Sequence, residues 1–358
     1  MRQKAVALGA GGTGGHLFPA QALASELCRR GWQVTLLTDD RGAAFAGQAS
    51  RDTVALPASR IGGGVSGKAR AAAVIASATW KARRLLRERQ ARGLVGFGGY
   101  PSFAPALAAK SLGLPLLLHE QATKFSLANQ KLLGAATRVA LSFPIEHGRR
   151  DADKFVLTGP PVRPEIAAAA GAPFPTLDGS IRLLVVGGSQ AAAVFGEQIP
   201  RAVLQLPDDL RARLRLALQY RGDDAEDVRA RLEANGVATT VAPFFHDMAD
   251  QLVAAHLVIC RAGASTAADL TAVGRPAIFI PIPRGGSADE QDRNARAFER
   301  AGAGWRLAQV DLEAGLLAPL LRALLSGDAL AEAAAASAKL GRADGAARLA
   351  DLVEQTLA

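Results

Sequence analysis

The chain has 358 residues, enough for two domains of ordinary size, and a formal charge of +9 with a pI near 10.1. That balance calls for an anionic partner: a phosphorylated substrate, an acidic membrane surface or nucleic acid. Nucleic acid ranks last, because aromatic residues make up only 5% of the chain and no binding signature appears. No apolar run has the length of a spanning helix, Met1 leads straight into a predicted strand, and Cys28 and Cys260 lack metal-ligand spacing. The expectation is a cytoplasmic chain without a membrane span, a secretory leader, a disulfide framework or a zinc site.

The first predicted strand, around Val6 to Leu8, breaks into Gly9-Ala10-Gly11-Gly12-Thr13-Gly14-Gly15-His16 before an alanine-rich helical segment. Glycines there let backbone approach a ligand, and the N–H groups of the following helix suit an anion or a sugar. Gly9-x-Gly11-x-x-Gly14 also matches the dinucleotide fingerprint, with Asp39 and Asp40 ending the next apolar run where a ribose-binding acid would sit. Strand-length apolar runs recur at Val34 to Leu37, Thr53 to Leu56, Gly93 to Phe97, Leu114 to Leu118 and Arg138 to Leu141, alternating with helical segments. This is the pattern of a parallel α/β sheet. The segment Lys68 to Arg87 is a basic, partly apolar helix carrying Trp80. Gly96-Phe97-Gly98-Gly99-Tyr100 is a second glycine loop, and Leu118-His119-Glu120-Gln121 places titratable groups at a strand end, so His16 and His119 are each framework residue or base. Asp151-x-Asp153 beside Arg149, Arg150 and Lys154 reads as a solvated loop, with no metal expected.

Prolines at Thr158 to Pro164, then Ala172-Pro173-Phe174-Pro175, mark a linker. The rhythm then restarts: Ile181 to Val186 runs into Gly187-Gly188-Ser189-Gln190 and a helix, with strands at Leu214 to Leu218, Val237 to Val241, Leu257 to Cys260 and Ala277 to Ile280. The resulting expectation is an α/β fold of two Rossmann-like domains, 1–160 and 161–342, with parallel sheets facing across a cleft. A last helix at 343–358 crosses back to the first domain. In the second half Ser189 and Arg163 suit a phosphate, and Arg261-Ala262-Gly263-Ala264-Ser265-Thr266 enters a helix in which Asp269 suits a ribose. Glu290-Gln291-Asp292-Arg293-Asn294 suits sugar hydroxyls.

In order along the chain, Gly11 to Pro19, Gly96 to Tyr100, His119-Glu120-Gln121, Pro161-Val162-Arg163, Val185 to Gln190, Phe245-x-Asp247-Met248, Arg261 to Thr266 and Gln291 with Asn294-Ala295 together resemble the MurG family. These are peripheral membrane glycosyltransferases of peptidoglycan synthesis. The resemblance covers essentially the whole chain. It implies a GT-B fold and an inverting, metal-independent transfer of GlcNAc from UDP-GlcNAc to the MurNAc 4-hydroxyl of lipid I, with no cofactor, at the cytoplasmic face of the inner membrane. It further implies donor contacts from Thr13, Gly14, Gly15, Arg163, Ser189, Gln190, Ala264, Ser265, Thr266, Asp269, Glu290 and Gln291. Gly98, Gly99 and Tyr100 would lie on the acceptor side, and the general base would be His16, Glu120 or His119. The sequence departs from the family's usual residues at Ala122, Ala191, Asp269 and Glu290. Two rival readings stay open: an NAD-dependent dehydrogenase, from the glycine fingerprint, and a non-catalytic sugar-nucleotide-binding or membrane scaffold protein. The basic helix with Trp80 is expected to meet an anionic membrane surface.

Overall fold

The computed structural model describes residues 4–11, 14–45, 52–59, 65–122, 124–145, 152–177, 179–188, 193–285 and 288–358. The chain divides into two compact units, Met1–Pro164 with Ala343–Ala358, and Glu165–Arg342. The division falls at 164/165 rather than 160/161, which leaves Arg163 in the first unit.

In the first unit β1 (Ala5–Gly9), α1 (Gly14–Arg29), β2 (Gln33–Thr38), α2 (Asp40–Phe45), β3 (Asp52–Ala55) and α3 (Val65–Glu88) are followed by β4 (Leu94–Gly96), α4 (Phe103–Ser111), β5 (Leu116–Glu120), α5 (Leu127–Leu132), β6 (Arg138–Leu141) and β7 (Phe155–Leu157). The strands form one parallel sheet in the order β3-β2-β1-β4-β5-β6-β7. Alternate residues of β1 serve opposite faces, as the pleat requires. Val6 and Leu8 pack with Leu17, Leu23 and Leu27 of α1, whereas Ala7 packs with Ala82 and Leu86 of α3 and Ala106 and Ala109 of α4. Because both faces are covered, the strands read as continuous apolar runs. The edge strand β7 is apolar over only three residues, none of them fully buried.

The second unit begins with α6 (Pro164–Ala168) and continues through β8 (Ile181–Val186), α7 (Ala193–Leu204), α8 (Asp208–Arg213), β9 (Leu214–Gln219), α9 (Ala225–Glu233), β10 (Ala238–Ala242) and α10 (Met248–Ala254). Then come β11 (Leu257–Cys260), α11 (Ala264–Val273), β12 (Ala277–Phe279), α12 (Ala288–Arg300), β13 (Gly304–Arg306), α13 (Gln309–Glu313), α14 (Leu317–Leu325) and α15 (Ala329–Leu340). Its sheet is also parallel, ordered β10-β9-β8-β11-β12-β13. Leu183 and Val185 of β8 join Leu216, Leu218 and Ile259 in a core closed by Phe195, Ile199 and Val203 of α7 and Leu321 of α14. Arg275 fastens the connecting segment to this unit. Its guanidinium is buried and donates to Leu252 and Val253 carbonyls at the end of α10, to Val273 at the end of α11, and to Pro173 at 3.0 Å. A cation there meets the negative ends of two helices as well as the linker.

The last helix, α16 (Gly345–Leu357), belongs to the first unit. Leu349, Leu352, Val353 and Leu357 join the core beside α1. Arg30 donates to Asp351 at 2.6 Å and Glu354 at 2.9 Å, and the Trp32 indole donates to Glu354 at 2.9 Å.

Candidate functional site

In each sheet the strand order reverses once, between β1 and β4 in the first unit and between β8 and β11 in the second. Loops leaving the carboxyl ends on either side of such a reversal diverge, and ligands of open α/β sheets bind there. The glycine loops after β1, β4, β8 and β11 are therefore the ones placed for binding.

In the first unit α1 starts at Gly14 and carries His16, half-buried, in its first turn. His16 Nδ1 lies 2.9 Å from the Phe97 carbonyl oxygen and 3.0 Å from the Gln121 amide. The ring rests on the turn after β4, where Gly98 and Gly99 have φ of 83° and 72°. A Cβ on Gly99 would stand 3.1 Å from His16 Cδ2, so both backbone conformation and the seat for the imidazole require glycine. Burial holds the His16 pKa below its ordinary value against the opposing bond to Phe97, so the ring is neutral near pH 7. Tyr100 donates to the buried Asp39 carboxylate at 2.9 Å, and the Gly42 N–H donates to its other oxygen at 3.0 Å. The acid that a dinucleotide fingerprint would offer to a ribose is thus engaged with its own loops.

The other two base candidates sit deeper. His119 on β5 has no exposed surface, packs 5.1 Å from the Phe97 ring, and shares a 3.0 Å hydrogen bond between Nε2 and Ser142 Oγ. Burial, aided by the charge of His16, pushes its pKa down to about 3. Glu120 is 2% exposed and accepts from the N–H groups of Ser126 at 2.8 Å and Ala122 at 3.2 Å and from Asn129 Nδ2 at 2.9 Å. Burial raises its pKa despite those donors. These contacts make Glu120 the brace of the 121–126 loop and the start of α5. Arg163 stacks its guanidinium 5.2 Å from the centre of the Phe18 ring of α1.

In the second unit the loop after β8 opens with Gly187 and Gly188, and Ser189, Gln190 and Ala191 lie outside the described residues, as does Thr13 in the first unit. Of the expected Ser189 and Arg163 pair, Arg163 belongs to the first unit and Ser189 lies outside the described residues. Helix α11 starts after Gly263 with no side-chain cap, so its first N–H groups have no side-chain acceptor from the cap position. Ser265, Thr266 and Asp269 are half-buried along its first turns. Gln291 Oε1 accepts from the Ile282 N–H at 3.1 Å, and Asn294 Nδ2 donates to the Ala262 carbonyl at 3.0 Å, so the start of α12 ties together the loops after β11 and β12. Glu290 is half-buried in the same turn. Arg261 lies 4.9 Å over the Phe195 ring and donates to the Ile280 carbonyl at 3.0 Å and Gln309 Oε1 at 2.9 Å. Burial lowers its pKa. Sequence reasoning named Gln121, Arg261 and Asn294 only as members of their motifs and anticipated none of their contacts. The signal for Gln121 and Arg261 was position, since each directly follows the last residue of a strand, β5 and β11.

Residues 6–141 match the glycosyltransferase family 28 N-terminal domain and residues 182–349 its C-terminal domain. The solved structure of Acinetobacter baumannii MurG superposes with a TM-score of 0.77 at 29% identity, covering 98% of this chain and 99% of that one. A curated relative from Rhodospirillum centenum is 47% identical over 360 residues, spanning 99% of this chain and 94% of its own length. The chain belongs to the MurG family. That relative, and another from Rhodospirillum rubrum at 44% identity over 98% of this chain and 92% of its own, are named UDP-N-acetylglucosamine--N-acetylmuramyl-(pentapeptide) pyrophosphoryl-undecaprenol N-acetylglucosamine transferase. A kitacinnamycin glycosyltransferase, 18% identical with a TM-score of 0.73 over 100% of both chains, shares the fold. MurG-family membership accounts for both glycine-loop units with one pair of domains, which a dehydrogenase reading of the first loop alone does not.

Proposed function

We propose that this chain transfers N-acetylglucosamine from UDP-GlcNAc to the MurNAc 4-hydroxyl of lipid I, forming lipid II and UDP. The observation that carries the reading is identity of 47% with a curated transferase of that name over 99% of the chain. The acceptor oxygen bonds to the anomeric carbon as the bond from that carbon to the diphosphate breaks, which inverts the anomeric centre, and the hydroxyl proton passes to a base. His16 is that base. It is neutral, its Nδ1 is held by Phe97, and its Nε2 lies on the Gly99 side without a bond to any described residue. His119 and Glu120 serve as framework, since both are buried and engaged.

In the same reading the second unit holds the donor. The loop after β8 with Ser189 and Gln190, together with Ala264, Ser265 and Thr266 at the start of α11, receives the diphosphate, where donors steady the charge of the leaving group. Asp269 receives the ribose, and Glu290 and Gln291 the sugar. Arg163, over Phe18, and Thr13, Gly14 and Gly15 supply donor contacts from the first unit. Gly98, Gly99 and Tyr100 face the acceptor. The test is to mix purified protein with UDP-GlcNAc and a lipid I analogue. Release of UDP with formation of a β-1,4 disaccharide is expected, and UDP release with no dependence on the acceptor overturns the assignment.

Among the described residues no helix is long and apolar enough to cross a membrane. The reading places the protein peripherally on the cytoplasmic leaflet through α3. On that helix Trp80 is 64% exposed beside exposed Lys81, Arg84 and Arg87, while Ala78, Ala82 and Leu86 are buried. Arg83 is half-buried and donates to Ser111 O and Oγ at 3.0 and 2.7 Å, and Arg84 is paired with Glu88 at 2.6 Å. The expected flexible stretch Ile61 to Gly64 lies outside the described residues.

A further inference from the structure

Two groups meet His16 at one ring atom. The Phe97 carbonyl oxygen lies 2.9 Å from Nδ1, and Gln121 meets the same nitrogen through its amide at 3.0 Å. A carbonyl only accepts. If Gln121 donated, Nδ1 would be a bare lone pair facing a carbonyl oxygen, which is repulsive. If Nδ1 carries the hydrogen, both neighbours must present oxygen, and the Gln121 amide does so by turning about its last bond. The turn exchanges the two amide atoms, and since Gln121 Oε1 as placed is buried without a partner among the described residues, the choice rests on the bonds at Nδ1. That arrangement leaves the second lone pair of the ring on Nε2, beside the Gly98–Gly99 turn, where a Cβ on Gly99 would come within 3.4 Å of that atom.

We infer that Gln121 is a positioning residue: a neutral acceptor that joins the Phe97 carbonyl in holding the hydrogen on Nδ1, so that Nε2 is the atom that takes the substrate proton. The inference rests on His16 being the base. Neutrality is the point of having an amide there. A carboxylate would hold Nδ1–H just as well but would stabilise the imidazolium, leaving the ring already protonated at the pH where it must accept a proton. The charged groups on the surrounding elements do not supply that role. On β5, His119 is fully buried and bonded to Ser142, and Glu120 directs its carboxylate to Ala122, Ser126 and Asn129. After β2, Asp39 is bonded to Gly42 and Tyr100, and Arg163 stacks on Phe18 of α1 itself.

The experiment compares wild type, Gln121→Glu and Gln121→Leu by two readouts: the pH profile of kcat/KM for a lipid I analogue at saturating UDP-GlcNAc, and the ring 15N shifts of His16 in the intact enzyme. The five histidines are few enough for His16 to be assigned with a His16→Gln sample. Wild type should show the hydrogen on Nδ1. Gln121→Glu should move both the acidic limb of the profile and the His16 titration upward by about one pH unit or more, since it sets a carboxylate against the ring. Gln121→Leu should lose about tenfold in kcat with donor KM unchanged, the size of effect seen when a ligand-orienting partner is removed. An unmoved His16 titration in Gln121→Glu overturns the inference, as does a wild-type 15N signature in Gln121→Leu. The isosteric Glu variant keeps the test available where Leu misfolds. If His16→Ala retains normal turnover, the base reading fails, and the 15N titration still judges the contact to Gln121.

Discussion

The two units share a strand order and differ in how they hold their carboxyl edges. In the first, polar side chains are engaged with one another: Tyr100 with Asp39, Asn129 with Glu120, Gln121 with His16, and Ser142 with His119. In the second, the long polar side chains hold loops mainly through backbone groups, with Arg261 on the Ile280 carbonyl, Asn294 on the Ala262 carbonyl and Gln291 on the Ile282 N–H. Networks of the first kind fix the orientation and protonation of individual rings, which suits proton transfer. The second kind fixes loop shape and leaves helix starts and short side chains for a ligand. The proposed function assigns reaction to the first unit and donor binding to the second, and substitutions should separate the two.

The largest separation is expected at His16. His16→Ala should lower turnover by roughly 10²–10⁴, the usual contribution of a positioned base, with UDP affinity by calorimetry unchanged. Turnover within a few-fold of wild type would remove the chemistry from this edge. Next in size is a surface effect confined to α3. Replacing Lys81 and Arg87 by glutamine removes two exposed charges worth about 1 kcal/mol each near an anionic bilayer, so partition into acidic vesicles should fall roughly thirtyfold, Arg84 being already paired with Glu88 at 2.6 Å. Added salt should weaken the wild type in the same direction while UDP binding stays constant. Vesicle binding indifferent to both changes would move the membrane contact elsewhere.

The third effect is the converse of the first. Asp269→Ala should cost about 2 kcal/mol, roughly thirtyfold in UDP affinity, by removing a charged acceptor, and should leave the His16 ring shifts unaltered. Asp269→Glu should bind UDP equally or more tightly. A severe loss there would mean that Asp269 is held by packing and does not meet the ribose.

The sheets were legible because strand segments buried on both faces must be apolar throughout, so Leu183 to Val185 and Leu257 to Cys260 announced themselves. The edge strands β7 and β13 did not, since Phe155 and Trp305 are only partly covered, whereas the equally short β4 and β12 are buried throughout. His16 and the Gly98–Gly99 turn were visible as chemistry at strand ends. What joins them was not, because Gln121 and His16 stand 105 positions apart and meet only when β5 has been placed beside β4. Asp39 misled for the same reason: its partner Tyr100 lies 61 positions away, so the carboxylate looked available to a ribose. Arg163 sits just before the division between units, and proline spacing could not say that its guanidinium would stack on Phe18.

The smallest predicted effect tests whether the first unit's network excludes protons as well as orienting rings. His119 has a folded-state pKa of about 3 against an ordinary value of 6.5. Above pH 6.5 the ring is neutral whether folded or unfolded, so its stabilising contribution is fully present. As pH falls below 6.5 the unfolded chain takes a proton that the folded unit refuses, and stability is lost until about pH 3. Between pH 7 and 5.5 this amounts to about 1 kcal/mol from His119. His16, lowered by burial in the same direction, adds to the loss. His119→Gln keeps a hydrogen-bonding amide for Ser142 but cannot titrate, so hydrogen exchange of the β5 amides should lose less protection between pH 7 and 5.5 in the variant than in wild type, after correction for intrinsic exchange rates. Equal losses would show that His119 gains no proton on unfolding, and that the acid sensitivity of this edge lies with His16.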